Sequence, residues 1–535
     1  MQRRWKTAGW ALAGLYAVAL VFTVADYGVT WDEPGWFRIG DRHLAFFKDL
    51  DARHIAPEPG PWGWEAYGPH AATVSAITAN LAHEQFGWTS ADTGRHLGNI
   101  LFAVAASLFL WGLVNRRDGA RVAFFALLGF ATLPRWFGHA HNNPSDMPAA
   151  TWVIGAFACV VGYAKTGRRG WILAAGAALG GAAAVRPQTA VFAPLVILGW
   201  IAMDLSLRTH LRRRPSDALL AVGAAAFTLF LLWPMLWTNP VAHGQHILDF
   251  FLNPPPWQGR GGLLYLGSHY TDSPPWHYPF VMTAVTTPLP VLVLAAWGTL
   301  SAFLDQRGHR YRQQSVWLAV WWTFAAIGVH ALMTRGNYDG VRHFLEAFGG
   351  LVWLAGIGAS DVVERCGQWR ARGGERRGGE LLGACLCVVA FLPGLVGIAR
   401  LHPYPQIYYN ALVGGTRGAA ELFEVEYWGF SWKPGMAWLE ANAAPGALVM
   451  TPWLEGVSSH YRRPDLEIAV ANQPGEIERH RREAGRSGRE VYFLFPVRQG
   501  FITGDAGVEQ VRRRYPLVHE ERAGDVALLE IYRLD

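Results

Sequence analysis

Asp32 and Glu33 form a carboxylate pair a few residues beyond the first long apolar run, within Trp31-Asp32-Glu33. Ionisable groups kept at membrane depth are costly and usually face a cavity where they do work. Partial burial tunes such a carboxylate towards neutral pH, where it can act as a general base. The structural alternative is a capping or solvated acid pair. A second polar cluster is His139-Ala140-His141-Asn142-Asn143-Pro144-Ser145-Asp146. Two His and one Asp could bind a metal; contacts to substrate hydroxyls and an ordinary polar loop are the other readings. A third group is cationic. Arg95 and His96 precede the second apolar run, Arg186 lies between two runs, and Arg335, Arg342 and His343 flank Asn337-Tyr338-Asp339-Gly340. Arg at helix ends can simply snorkel, but it also gives bidentate hydrogen bonds to phosphate.

These residues depend on the elements that carry them. Of 535 residues, 51% are hydrophobic and 16% charged, against about 25% charged in a soluble protein. The 26 Trp suit many interfacial anchors. The composition predicts an α-helical polytopic membrane protein. The net charge of +6 is spread over short basic loops and comes with no nucleic-acid-binding motif, so nucleic acid is not an expected partner. The four Cys support neither a disulfide framework nor a zinc knuckle. The basic N-terminus and the apolar stretch after it, lacking an A-x-A-like cleavage site, read as a retained first helix.

Eleven apolar runs are expected to span the membrane, at roughly 7–26, 97–115, 119–137, 148–164, 171–186, 188–205, 217–237, 279–303, 315–334, 341–360 and 380–400. Arg3/Arg4/Lys6, Arg116/Arg117/Arg121, Lys165/Arg168/Arg169, Arg208/Arg212/Arg213/Arg214, Arg307/Arg310/Arg312 and Arg365/Arg370/Arg372/Arg376/Arg377 occupy alternate loops. The positive-inside rule puts all six in the cytoplasm, with the N-terminus inside and the C-terminus outside. Residues 1–400 then form a membrane domain with a long first outer loop, 27–96. Within that loop the stretch from Pro69 to Phe86 suits a helix lying in the interface. The Pro- and aromatic-rich loop at 238–278 is long enough to be functional. Residues 401–535 read as a small extracytoplasmic α/β domain, with helices near 433–442, 474–484 and 506–514 and strands near 447–451, 490–496 and 525–533.

On the outer side this topology gathers a base, polar groups for hydroxyls, aromatic loops and cations. A lipid-phosphate-linked sugar needs all four. Its phosphate is already a good leaving group, so one carboxylate can deprotonate an acceptor hydroxyl while cations stabilise the departing phosphate.

The ordered motifs carry a resemblance. They are Asp32-Glu33, Tyr67-Gly68-Pro69-His70, Phe86-Gly87-Trp88, Arg95-His96-Leu97, Asn143-Pro144-Ser145-Asp146, Pro275-Trp276-His277-Tyr278-Pro279, Thr287-Pro288-Leu289-Pro290 and Gly340-Val341-Arg342-His343-Phe344. Over about residues 1–400 the chain resembles the dolichyl-phosphate-mannose–protein mannosyltransferase family (glycosyltransferase family 39) and its bacterial relatives, including the lipid A aminoarabinose transferases, within the glycosyltransferase C (GT-C) superfamily. The resemblance implies an inverting, metal-independent transfer from a polyprenyl-phosphate sugar to a hydroxyl of protein, lipid or polysaccharide. Asp32 is then the base, with Glu33 as its alternate. Asp146 matches the acid of the second outer loop, and Arg342 an Arg near a helix start. His70, Arg95, His139, His141, Asn143, Arg186, Tyr278 and His343 complete the expected substrate-binding set. At His70 relatives often carry a second Pro. No cofactor is expected, although the residues alone leave a divalent metal open.

The segment His402-Pro403-Tyr404, Tyr408-Tyr409-Asn410, Gly414-Gly415 and Glu424-Val425-Glu426-Tyr427-Trp428-Gly429 looks like a motif of a bacterial subgroup. It is expected to pack the outer domain on the membrane part, with acceptor binding as the alternative. Ala, Gly, Arg and Trp richness fits a GC-rich bacterium, so the expected location is the bacterial cytoplasmic (inner) membrane and the expected carrier is undecaprenyl phosphate. A transporter or flippase of lipid-linked glycans is the competing reading. It would place polar groups near the midplane rather than at one face.

Overall fold

The structure is a computed structural model describing residues 2–56, 66–253, 262–271, 273–304, 310–332, 338–453 and 455–535. Arg335 and Asn337 of the third cluster, and Pro254 to Trp257 of the Pro-rich loop, lie outside the described residues. The helical part comprises α1 (Gln2–Thr23), α2 (Glu33–Asp49), α3 (His70–Ala79), α4 (Ala91–Asp118), α5 (Ala120–Ala131), α6 (Pro134–Asn142), α7 (Asp146–Thr166), α8 (Arg169–Ala183) and α9 (Thr189–Met203). It continues with α10 (Leu205–Arg213), α11 (Ser216–Leu232), α12 (Met235–Thr238), α13 (Pro240–Leu252), α14 (Tyr278–Thr286), α15 (Leu289–Leu304), α16 (Arg310–Leu332), α17 (Ala347–Ala371) and α18 (Arg376–Leu401). Among the described residues six helices are long and apolar enough to cross a membrane, and up to eight segments are if two bent pairs are each counted as one. This is a multi-pass membrane protein.

Each of the eleven apolar runs is mainly helical over its described residues, but not each is one straight helix. The run at 119–137 divides at Thr132-Leu133, where α5 ends and Pro134 opens α6. The run at 279–303 is two helices, α14 and α15, meeting at 112° around Thr287-Pro288. Proline supplies no N–H to continue the ladder, so carbonyls before it are freed. Asn410 takes them up from the far end of the chain. Its Nδ2 donates to the Ala284 and Thr287 carbonyls, both at 2.7 Å, and its backbone N–H donates to Val285 O at 2.8 Å.

Where helices face lipid, small residues let backbones approach. Gly298 and Gly358 do this reciprocally between α15 and α17. A Cβ on the first would stand 2.2 Å from the Leu354 carbonyl oxygen, and one on the second 2.0 Å from that of Leu294.

The six basic loops meet at one pole. Arg117 pairs with Asp204 (2.8 Å), Arg169 with Asp217 (2.9 Å), Arg312 with Asp361 (2.9 Å) and Arg121 with Glu364 (3.5 Å). Lys165 donates to the Arg116 carbonyl, and Gln2 accepts from the Ala120 N–H. The loops around Asp32, Asn143, Arg186 and Arg342 gather separately, so the chain has two poles of opposite chemistry.

At the second pole the first loop carries α2 and α3. The stretch foreseen as interfacial is α3 followed by a π-helical turn, Asn80–Gln85. Ile77, Leu81, Phe86 and Trp88 are exposed there. A short hairpin, β1 (Leu263–Tyr265) with β2 (Ser268–Tyr270), precedes α14.

The C-terminal domain holds β3 (Leu448–Thr451), β4 (Glu467–Val470), β5 (Val491–Pro496), β6 (Leu517–Ala523) and β7 (Val526–Arg533) in the order β4-β3-β5-β7-β6. Strand β3 is parallel to β4 and β5, while β7 is antiparallel to β5 and β6. The chain leaves β3 towards one edge and β5 towards the other, which opens a crevice at their carboxyl ends. Trp453 and Arg498 lie just beyond those ends. Residues 402–431 pack differently from the sheet. Tyr404, Ile407, Tyr409, Phe423, Tyr427 and Trp428 belong to the helical core, whereas the sheet's own clusters begin at Trp432.

Candidate active site at the second pole

Asp32 stands at the N-cap of α2, yet its side chain makes no capping hydrogen bond. Instead the indole N–H of Trp428 donates to its Oδ2 at 2.8 Å, and Arg342 Nη1 lies 3.7 Å from the same oxygen. Oδ1 has no hydrogen-bond partner among the described residues. The side chain is 25% exposed. Burial pushes its pKa above the ordinary carboxylate value, opposed by the Arg342 charge and the Trp428 N–H.

Glu33 has a different environment. It is fully buried. Its Oε2 accepts from the Thr30 backbone N–H (2.7 Å) and hydroxyl (3.2 Å), and its Oε1 lies 3.0 Å from His96 Nε2. Both oxygens are engaged, so Glu33 ties the start of α2 to α4 while Asp32 keeps one oxygen open.

Arg342 is the centre of an ion network. Its Nη1 is 3.2 Å from Asp146 Oδ2, and its Nη2 is 2.9 Å from Asp339 Oδ2. Asp146 pairs through Oδ1 with Arg186, and Asp339 pairs through Oδ1 with Arg498 at 3.0 Å. Three Asp (32, 146, 339) and three Arg (186, 342, 498) therefore alternate, and their formal charges cancel. Mutual pairing is what makes charges tolerable at this depth. Burial opposes the Arg342 charge, but Asp339 and Asp32 more than offset this and raise its pKa. Its Nε is buried without a partner among the described residues.

Local conformation aims these groups. Asp339 and Gly340 both have positive φ, 56° and 73°. That double left-handed turn suits an Asp-Gly pair and opens the short helical turn bearing Arg342. The Gly340 N–H donates to the Tyr278 hydroxyl at 2.9 Å. Asn143 caps the start of α7, accepting from the Asp146 N–H at 2.8 Å, and its Nδ2 donates to Asp146 Oδ2 at 3.1 Å. Arg186 sits on a turn against Gly68, where a Cβ would meet the Ala184 carbonyl oxygen at 1.9 Å.

The structure thus brings together Asp32, Asn143, Asp146, Arg186, Tyr278 and Arg342 of the expected set. His139 lies at its edge, with Nδ1 3.2 Å from Asn143 Nδ2 and Nε2 3.2 Å from the Tyr427 hydroxyl. His343 stands edge-on to Tyr338, ring centres 4.9 Å apart. Three residues are placed elsewhere. His141 stacks on Tyr27 with ring centres 3.7 Å apart and meets Thr23. His70 packs against Phe102 and Trp152. Arg95 forms a double hydrogen bond with Asp41 and covers Phe37. Each is used by its neighbours to fasten an element. The rings of His139 and His141 do not converge, and no group of three or more His, Cys, Asp or Glu is disposed to hold a metal among the described residues.

Trp428, Asp339 and Arg498 were not expected as site residues. Asp339 had a signal, three residues before Arg342 in an Asp-Gly turn. Trp428 lay inside a motif read as packing, with acceptor binding as the alternative. Arg498, in Pro496-Val497-Arg498 after β5, gave none.

Residues 71–236 match the family model described as dolichyl-phosphate-mannose-protein mannosyltransferase. No curated protein matches the chain in sequence. Among solved structures, ArnT from Cupriavidus metallidurans in the apo state is similar with a TM-score of 0.54 and 15% identity, over 99% of this chain and 98% of that one. The same protein bound to undecaprenyl phosphate gives 0.54 and 16%, over 98% of each chain. The archaeal oligosaccharyltransferase AglB from Archaeoglobus fulgidus, in complex with an inhibitory peptide and a dolichol-phosphate, gives 0.51 and 13%, over 92% of this chain and 69% of that one. The chain shares the fold of ArnT, and the likeness extends through the C-terminal sheet domain.

Proposed function

We propose that this protein is a glycosyltransferase that moves a sugar from a polyprenyl-phosphate carrier to a hydroxyl acceptor at the outer face of a bacterial inner membrane. One observation carries the reading. Asp32 is held with one oxygen fixed and the other open, beside Arg342 and Arg186, at the pole opposite every basic loop. The positive-inside rule makes that pole the outer one, with the N-terminus in the cytoplasm and the sheet domain outside. The family-model match, and a fold shared with a protein that binds undecaprenyl phosphate, support the carrier.

In this reading Asp32 Oδ1 takes the acceptor hydroxyl proton as that oxygen attacks the sugar's anomeric carbon. The bond from that carbon to the phosphate oxygen breaks, and its electron pair leaves with polyprenyl phosphate. A single displacement inverts the anomeric centre. Arg186 and Arg342 face the growing phosphate charge; preorganised cations in a water-poor site are effective there. Asp146 and Asp339 keep both guanidiniums in place. Glu33 serves as a structural carboxylate.

The test is a deletion strain complemented with wild type or Asp32→Asn, its surface glycoconjugates profiled by mass spectrometry. The expected result is a sugar lost on deletion, restored by wild type and not by the variant. An unchanged profile on deletion overturns the reading. So does movement of labelled carrier across proteoliposomes without sugar release, which would favour a transporter.

A further inference from the structure

We propose that Trp428 is the positioning residue of this site, one indole that fixes both the base and the cation beside it; the inference rests on the transferase reading above. Its N–H donates to Asp32 Oδ2 at 2.8 Å. Its ring face carries the Arg342 guanidinium 4.7 Å from the ring centre. A guanidinium over an indole face is attracted by the ring quadrupole. Edge and face of one rigid ring thus hold Asp32 and Arg342 at their 3.7 Å separation.

The indole is itself held. Glu426 Oε1 accepts from the backbone N–H groups of Trp428 (3.2 Å), Gly429 (2.6 Å) and Phe430 (3.0 Å). Its Oε2 accepts from the Ser431 N–H (3.2 Å) and hydroxyl (2.9 Å). One carboxylate thereby closes the whole turn, and Gly429 supplies the positive φ of 78° that the turn needs. The Trp31 N–H donates to the Trp428 carbonyl at 3.1 Å, which locks the turn to the residue before the base. A packing tryptophan needs none of this. Trp322 and Trp432, equally buried, leave their N–H groups without partners among the described residues, and Trp353 gives its N–H to Asp118 at the other pole, whereas the Trp428 N–H goes to Asp32, the carboxylate beside Arg342.

The test removes the N–H, and in one of two variants keeps the fused ring. Trp428→Phe and, by amber suppression, benzothienylalanine at 428 (sulfur in place of N–H) are compared with wild type in membranes of the deletion strain. Two readouts are taken: glycoconjugate formation by mass spectrometry, and titration of the Asp32 carboxyl by infrared difference spectroscopy with Asp32→Asn as blank. The groups facing Asp32 are Arg342, Asp339 and Arg186, with the phenols of Tyr67 and Tyr338, and both replacements leave them in place. Losing a donor to the ionised carboxylate is expected to move its titration to higher pH. Product formation is expected to fall about 10- to 100-fold, the scale of an angstrom-level misplacement. Wild-type product formation or wild-type titration in the benzothienylalanine protein overturns the positioning role. Full product formation by Asp32→Asn would overturn Asp32 as the base, and no product from wild type would overturn the transferase reading instead.

Discussion

Arg498 Nη2 stands 3.0 Å from Asp339 Oδ1, the two side chains 1% and 2% exposed. One comes from the turn after β5 and the other from the turn before Arg342, so the sheet domain contributes a charge to the site's ion network. The same guanidinium donates to the Tyr427 carbonyl at 2.7 Å and lies under the rings of Trp31 and Phe501. Removing one partner of a buried pair costs about 3–5 kcal/mol, because the other charge is left uncompensated. Asp339 keeps Arg342 as a second partner, so the pair is tested by a double-mutant cycle: the losses in thermal unfolding midpoint in detergent for Arg498→Met and Asp339→Asn should sum to more than the loss in the double variant. Strictly additive losses would contradict the coupling.

Asp32→Asn and Glu33→Gln should fail in different ways. The first should reduce transfer by roughly 10²- to 10⁴-fold, the contribution of a positioned base, with little loss of stability. The second leaves a buried network short of a charge-assisted bond and should cost about 1–3 kcal/mol of stability while sparing more of the activity. Activity assays paired with thermal unfolding of both variants decide the matter; a reversed pattern would move the base to Glu33.

Transfer should also have an acid limb above the ordinary carboxylate range. The base works only when ionised, and burial raises the Asp32 pKa. Activity is therefore full above that raised pKa and lost as pH falls through it. A pH–rate profile flat down to the ordinary aspartate range would be inconsistent with Asp32 in this role.

The sheet domain is also fastened to α4, by a contact that titrates. His460 Nε2 lies 2.9 Å from Asp92 Oδ1. That hydrogen bond, partly opposed by burial, raises the His460 pKa above its ordinary 6.5. A raised histidine pKa means stability fully present below the unfolded value and lost as pH rises through the folded one. Protection of the 455–461 helix from hydrogen exchange, relative to the intrinsic rate at each pH, should fall between about pH 6 and 8 in wild type, and Asp92→Asn should flatten that dependence.

Much of this was legible in the chain because it is local or statistical. Alternation of basic loops sorted Asp32, Asn143, Arg186 and Arg342 to one pole without any knowledge of contacts. Apolar runs marked the helices but hid the break at Pro288, since hydropathy averages over a bend that only Asn410, more than a hundred residues on, makes tolerable. In the sheet domain the apolar β5 was readable. The edge strands were not, because Glu467–Val470 is short and Leu517–Ala523 is charged. Position on the right face also did not ensure a place in the site. Arg95 and His70 lie on the same loop as Asp32 yet are taken up by Asp41 and by Phe102 and Trp152. The contacts Trp428–Asp32 and Arg498–Asp339 join segments distant in sequence, and residue type alone does not announce them.

The turn closed by Glu426 has a consequence for biosynthesis. Ribosomes release this chain from its N-terminus, so Asp32, Asp146 and Arg342 are in place before residue 428 is made. Until the last quarter of the polypeptide has been made, Asp32 has no indole donor and Asp339 has no Arg498. The proposed chemistry therefore waits on the end of synthesis, and the geometry of the site is the last property the molecule acquires.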